Sequence, residues 1–257
     1  GTSGIIAAIA SKEVMEEENL PGTIKVYGCP AEENYDGKVY MGRAGLFDDV
    51  DACLSHHPSG FNVAGLSSSN AMNSVKYEYH GKTAHAAGSP EQGRSALDAI
   101  ELMNIGVNYL REHVVQEARI HYIVEEGGGQ PNVVPDYARS WYYIRAPERS
   151  QVQQIYERIN KIAEGAAMMT ETELKIDLLS AVYNKIPNKT LSETVTANMR
   201  EIGHPGWTKE ELEFASEIAE TINTEDKMNS LRKSKVPDPE KYRDLNLVSE
   251  VLDAWDD

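Results

Sequence analysis

Adjacent carboxylates and adjacent histidines are the residues of this chain best suited to hydrolytic chemistry. Glu32 and Glu33 follow Cys29-Pro30-Ala31, and His56 and His57 precede Pro58. One carboxylate can take a proton from a water while its neighbour and an imidazole hold a metal ion. The same residues also suit a blander reading, in which Glu32 and Glu33 are solvated loop acids and His57 caps a turn. Arg145 ends an aromatic run before Ala146-Pro147. Its planar guanidinium can cap a sheet or grip a carboxylate. His80 and His85 flank Gly81-Lys82-Thr83-Ala84, a loop after a strand and not one helical face, so they are no helical metal motif. Gly127–Gly129 leads to Pro131 and another strand. A phosphate cradle needs a helix there, so that reading is excluded.

The scaffold for these side chains follows from hydrophobic periodicity. Ile5, Ile6, Ile9 and Val14 are spaced as the buried stripe of a helix. Thr23–Gly28 and Asp51–Ser55 are short apolar runs that flank a glycine-spotted, helix-length segment beginning near Asp36. Strand, helix, strand is the unit of a parallel sheet, and it would set both polar pairs at strand carboxyl ends, where such sheets bind ligands. The Ser/Asn-rich run Ser67–Asn73 then marks a domain boundary.

From Ser74 the period changes to two, with Val75, Tyr77 and Tyr79 alternating with polar residues. A helix follows with Ala96, Ile100, Met103, Val107, Leu110 and Val114 on one face. Two strands come next, one through Ile120, Tyr122 and Val124 and one over Ala138–Ile144 that would give the lid an aromatic edge at Trp141–Tyr143. A second helix carries Val152, Ile155, Ile159, Ile162, Ala166 and Met169, and a last strand carries Leu174, Ile176 and Leu178. The order strand-helix-strand-strand-helix-strand is the ferredoxin-like split βαβ unit. Beyond Lys185 the chain returns to helices, one with Leu191, Val195, Met199 and Ile202 on a face and one opened by a Thr208-x-x-Glu211 capping box. Asn223–Asp257, charged and carrying two prolines, reads as a partly ordered tail or long loop. The fold class is therefore α/β, a partial parallel-sheet domain with an inserted ferredoxin-like α+β lid. The divisions are 1–67 in the α/β domain, 68–183 in the lid, and 184–257 as a return to the first domain with an acidic tail.

The formal charge of −16 and the lack of a basic stretch in the sequence argue against a phosphate backbone or an anionic membrane as partner. No apolar run approaches the roughly 20 residues that span a bilayer. Cys29 and Cys53 lack a Cys-x-x-Cys spacing and read as reduced thiols of a cytoplasmic protein.

The strings GCPAEE, HHP, GKTAHAAGSP, GRSALDAIELMNIGVNYLREH, GGGQPNVVP, YYIRAPE and KIAEGAAMMTET occur together and in this order. With them the chain resembles the aminoacylase and carboxypeptidase-G type metallopeptidases, in the branch that holds the aminobenzoyl-glutamate hydrolase B-subunit. The match runs from about Gly1 to Ile222. The resemblance implies a dinuclear-metal amidohydrolase whose lid serves dimerisation. It makes Glu32 the general base, Glu33 a metal ligand and His57 a ligand of the second metal. It makes His85 an oxyanion-steadying residue that reaches the active site of the partner copy, and it makes Asn132 and Arg145 the holders of the substrate carboxylate. The implied cofactors are two divalent ions, with manganese, zinc and cobalt all compatible with mixed imidazole and carboxylate ligation. The implied partners are a small amide such as an N-acyl or aminobenzoyl amino acid, a second copy through the lid, and possible second subunits. The resemblance also places a Cys-Gly-His type ligand motif before Gly1 and a last histidine ligand after Asp257. The chain alone is then expected to be inactive. A non-catalytic dimer that binds a carboxylate through Asn132 and Arg145 is the alternative.

Overall fold

Alternating and helical periodicities, taken together, decide the larger part of the architecture. The structure is a computed structural model that describes residues 2–254 apart from 205, 246 and 249. In chain order the elements are helices α1 (Thr2–Glu17), α2 (Glu32–Tyr35) and α3 (Gly37–Arg43), then strands β1 (Asn62–Val63) and β2 (Ala71–His80). Helix α4 (Ala96–Leu110), strands β3 (Arg119–Glu126) and β4 (Tyr137–Ala146), helix α5 (Arg149–Thr170) and strand β5 (Glu173–Val182) follow. Helices α6 (Lys189–Ile202), α7 (Lys209–Glu220) and α8 (Thr224–Lys233) and strand β6 (Val251–Leu252) complete the chain. Two compact units result, Gly1–Leu54 with Ser69–Asn184, and Ser55–Ser68 with Lys185–Asp257.

In the first unit the strands form one antiparallel sheet in the order β3-β4-β2-β5. Val75, Tyr77 and Tyr79 of β2 and Ala138, Tyr142 and Ile144 of β4 are fully buried against α4 and α5. Helix α4 starts where the Ser95 hydroxyl accepts a hydrogen bond from the Asp98 N–H at 3.1 Å, and it buries Ala96, Ile100, Met103 and Val107 at helical spacing. Helix α5 does the same with Val152, Ile155, Ile159 and Ala163. The core contains tyrosine hydroxyls that must be satisfied. Tyr142 donates to the Asn104 side chain, Tyr77 to Asn160 Oδ1 at 2.8 Å, and Tyr79 to the Ala163 carbonyl at 3.0 Å.

Four expectations need correction. Thr23–Gly28 and Asp51–Ser55 are not strands, because a strand exists only where a neighbour takes up its N–H and C=O groups and no described segment does so. Thr23–Gly28 is held instead by side chains. Tyr27 donates to the Leu46 carbonyl at 2.8 Å and packs edge-on against Phe47 at 4.9 Å, and Lys25 pairs with Asp49. Helix α1 forms, but its apolar stripe is not buried, with Ile5, Ile6, Ile9 and Val14 each about half exposed or more. Trp141 and Tyr143 do not form a sheet edge, since β4 lies between β3 and β2.

The last correction concerns the acidic tail, which is ordered in the second unit. There α8 buries Met228 and Leu231 with Val236, Tyr242 and Leu252, and β1 pairs in parallel with β6 through Asn62↔Val251 and Val63↔Leu252. Arg243 binds Glu240 at 2.6 Å and Glu225 at 2.7 Å, which ties the segment after α8 back to the helix start. The Thr208 capping box is present, with Glu211 N–H donating to the Thr208 hydroxyl at 3.2 Å and Thr208 N–H donating to the Glu211 carboxylate at 2.7 Å.

Burial pushes the Tyr77, Tyr79 and Tyr142 hydroxyls well above tyrosine's ordinary value. A folded value raised above the unfolded one gives stability that is complete below about pH 10 and is lost as pH rises towards the folded value. In an alkaline titration followed by tyrosinate absorbance, these three are expected to ionise only together with the loss of helical circular dichroism. Ionisation of all tyrosines in one step before that loss would contradict the burial.

Candidate functional site

The predicted site residues are carried by different parts of the chain. Glu32 and Glu33 form a single helical turn between two left-handed residues, Ala31 at φ 50° and Asp36 at φ 49°. Both carboxylates are exposed. The chain must turn tightly there, and a Cβ on Gly37 would stand 2.0 Å from the Pro30 carbonyl oxygen. Asp36 then accepts from the Ser180 hydroxyl at 2.6 Å, and Tyr40 donates to the Leu179 carbonyl at 3.1 Å, which anchors the segment on β5. His57 belongs to the other compact unit. Its Nδ1 lies 2.8 Å from the Pro58 carbonyl oxygen. A carbonyl only accepts, so in the neutral ring Nδ1 carries the proton and Nε2 presents a lone pair, the form that binds metals. Among the described residues no three His, Cys, Asp or Glu side chains come together to hold a metal ion.

His85 and Asn132 are brought together. Beyond β2 and β4 the chain continues as an irregular hairpin in which Val134 N–H donates to the Ala84 carbonyl at 3.0 Å and Ala86 N–H to the Asn132 carbonyl at 2.9 Å. His85 pairs with Val133 in an isolated bridge. Its Nδ1 accepts from the N–H groups of Ala87 at 3.2 Å and Gly88 at 3.0 Å. That leaves the ring proton on Nε2, so the exposed His85 presents a donor, the opposite tautomer to His57. Gly81 makes the hairpin possible, since a Cβ there would stand 2.0 Å from the Arg94 carbonyl oxygen.

Arg145 lies at the far end of the sheet. It sits eight residues beyond Tyr137, the partner of His80 at the hairpin end, which is roughly 26 Å along the strand. It faces away from α4 and α5, with its guanidinium 5.4 Å from the Tyr143 ring centre. Its Nε is buried and has no hydrogen-bond partner among the described residues. Around it are Arg119 and His121, on the same outward face, and Arg111, which donates to the Ile120 carbonyl. Burial, and then the positive charges of Arg145, Arg111 and Arg119, hold the His121 ring below its ordinary value. Among the described residues no carboxylate pairs with any of these three arginines. The middle of the same face is different, with Lys76 and Arg139 meeting Glu125 at 3.1 and 2.9 Å and Lys175 meeting Glu78 at 3.1 Å.

The peptidase dimerisation domain family matches residues 65–169. The chain is 45% identical over 234 residues to the p-aminobenzoyl-glutamate hydrolase B-subunit of Escherichia coli, covering 90% of this chain and 48% of that protein. Residues 65–169 belong to the peptidase dimerisation domain family, and the chain is similar over most of its length to that hydrolase subunit. It is 35% identical over 219 residues to the Xaa-Arg dipeptidase of Mus musculus, covering 84% of this chain and 49% of the relative. A crystal structure of an aminobenzoyl-glutamate utilization protein from Klebsiella pneumoniae matches with a TM-score of 0.53 at 28% identity, over 61% of this chain and 41% of that one. The chain thus spans about half the length of the curated relatives it matches. His85, Asn132 and the arginine cluster all fall inside the matched dimerisation domain.

Sequence reasoning missed Arg111, Arg119 and His121. The alternation Ile120, Tyr122, Val124 already sent Arg119 and His121 to the opposite face, but only the register reveals that Arg119 stands opposite Arg145. Replacing Arg145 by Leu is expected to raise the His121 pKa, measured by NMR titration of the ring protons. An unchanged pKa would place the guanidinium too far away to act on it.

Proposed function

We propose that the protein containing this chain is an amidohydrolase that cleaves the amide of an N-acyl or aminobenzoyl amino acid, and that this chain supplies recognition of the product amino acid's carboxylate. The observation that carries the proposal is Arg145, whose buried Nε has no hydrogen-bond partner among the described residues and lies in an arginine cluster that none of their carboxylates pairs with. A bidentate carboxylate supplies the missing acceptor. Family membership supports the reaction type, and relatives of the family named above are hydrolases. Glu32 as base and Glu33 and His57 as ligands of divalent ions, manganese or zinc, belong to the same proposal. So do a cytoplasmic location and Asn132 as a second carboxylate contact, which, from the hairpin end beside His85, is too far from Arg145 of its own chain to share a carboxylate with it and would serve the partner's site. No helix among the described residues is long and apolar enough to cross a membrane.

The lid is proposed to make a homodimer in which His85 serves the partner's site. The length of β4 supports this, because His85 and Arg145 of one protomer stand too far apart to touch one small amide. The exposed Nε2–H of His85 is the donor such a role needs, aimed at oxygen on which negative charge develops.

Two measurements test the proposal. Arg145→Lys keeps the charge but loses the fork, and in the full-length protein it is expected to raise KM for a carboxylate-bearing amide about tenfold or more with little change in metal content. Unchanged KM would return Arg145 to a sheet-capping role. Separately purified His85→Ala and Arg145→Ala proteins, mixed and allowed to exchange protomers, are expected to regain about a quarter of wild-type activity, since half the dimers then hold one intact site of two. No recovery despite exchange would exclude a shared site. The chain alone is expected to show no turnover, because Glu33 and His57 fall short of the three or four ligands of a catalytic centre. Carboxylate binding without hydrolysis in the full-length protein would favour a non-catalytic binding protein.

A further inference from the structure

The outward face of the sheet sets two arginines against each other. Arg119 on β3 and Arg145 on β4 are direct cross-strand partners. Their neighbours Ile120 and Ile144 are buried against the helices, so both arginines point away from them. Directly opposed side chains on antiparallel strands have Cβ atoms roughly 4.5–5.5 Å apart, and like charges at that spacing repel. Acidic side chains are not scarce in a chain with 41 of them against 25 Lys and Arg. The face uses them around Arg139 and Lys76, and leaves this pair without one among the described residues.

Arg119 keeps Nη1 on the Gln116 and Ala118 carbonyls, at 2.8 Å each, which holds its guanidinium at the start of β3. Beside it opens a cavity of about 330 Å³ whose walls combine Arg111, Arg119 and His121 with Val114, Val115 and Ala118. The cavity borders Arg119 and not Arg145, so it can take only the part of a ligand that Arg119 holds.

We propose that Arg119 determines specificity by receiving the side-chain carboxylate of an N-acyl acidic amino acid whose α-carboxylate is held by Arg145. The proposal rests on the reading of Arg145 given above. Two carboxylates separated by three carbons, as in glutamate, match the span between directly opposed side chains. Each guanidinium then faces one anion, and a repulsive pair becomes two charge-assisted contacts. His121, on the same face, adds a ring N–H without adding charge, because burial and the arginines keep it neutral.

Calorimetric binding of N-benzoyl-glutamate and N-benzoyl-norvaline to the full chain tests this, since norvaline has the same chain length without the second carboxylate. Wild type is expected to prefer the glutamate derivative by about tenfold or more. Arg119→Met, which keeps a hydrocarbon stem and removes the charge, is expected to cut that preference to below about threefold. Arg119→Lys is expected to recover part of it, and an unchanged circular dichroism spectrum shows that the variants are folded. A wild-type preference near one, or a preference that survives Arg119→Met, overturns the proposal. Arg145→Lys separates the two levels, because it is expected to weaken both ligands. If it weakens neither, or if wild type binds neither, the carboxylate reading of Arg145 fails. If Arg145 matters and Arg119 does not, only the role of Arg119 is lost.

Discussion

Once α4 and α5 bury Val75, Tyr77, Tyr142 and Ile144 on one face of the sheet, every other residue of each strand is sent to the opposite face. A slip of one residue would drive Arg145 into the core and Ile144 into water, so apolar burial strongly specifies the register. The polar face inherits that register without having chosen it. Arg119, His121, Tyr143 and Arg145 become neighbours because Ile120, Tyr142 and Ile144 have to be inside. The position of the arginine cluster is therefore a by-product of core packing, and it stands without a paired carboxylate among the described residues.

The ferredoxin-like unit was legible because all six of its elements carry a clean period of two or of three to four, and each apolar set meets a partner inside the same unit. Thr23–Gly28 and Asp51–Ser55 carry the same apolar content and form no strands, because apolar content does not supply a neighbour for the backbone. The tail failed in the opposite direction. Only Met228 and Leu231 mark the buried side of α8 among many charges, too few to show a period, yet with Tyr242 and Leu252 they suffice to build a small core. Of the candidate site, Arg145 could be singled out by residue type and position and His85 only through the family resemblance, whereas Arg119 gains its meaning from a cross-strand pairing that no local pattern encodes.

The two histidines of the candidate machinery differ in the chemistry their backbone contacts allow. His57 gives its Nδ1 proton to a carbonyl and presents a lone pair, while His85 takes two backbone N–H groups and presents a proton. Neither can exchange roles with the other without breaking those contacts. The proposed function uses that difference, one histidine for a cation and one for a developing oxyanion, and the difference arises from two short loops that share no sequence pattern.

Strand β2 is the first of the four to appear in the sequence and lies inside the sheet, with β4 on one side and β5 on the other. Both of its neighbours are made later, and the second is not complete until Val182. A nascent chain leaving the ribosome must therefore carry Ala71–His80, with its buried tyrosines and valine, for about a hundred residues before both edges of that strand are covered. Contacts between residues so far apart in the chain make for slow folding. During that interval β2 is the segment most in need of a chaperone.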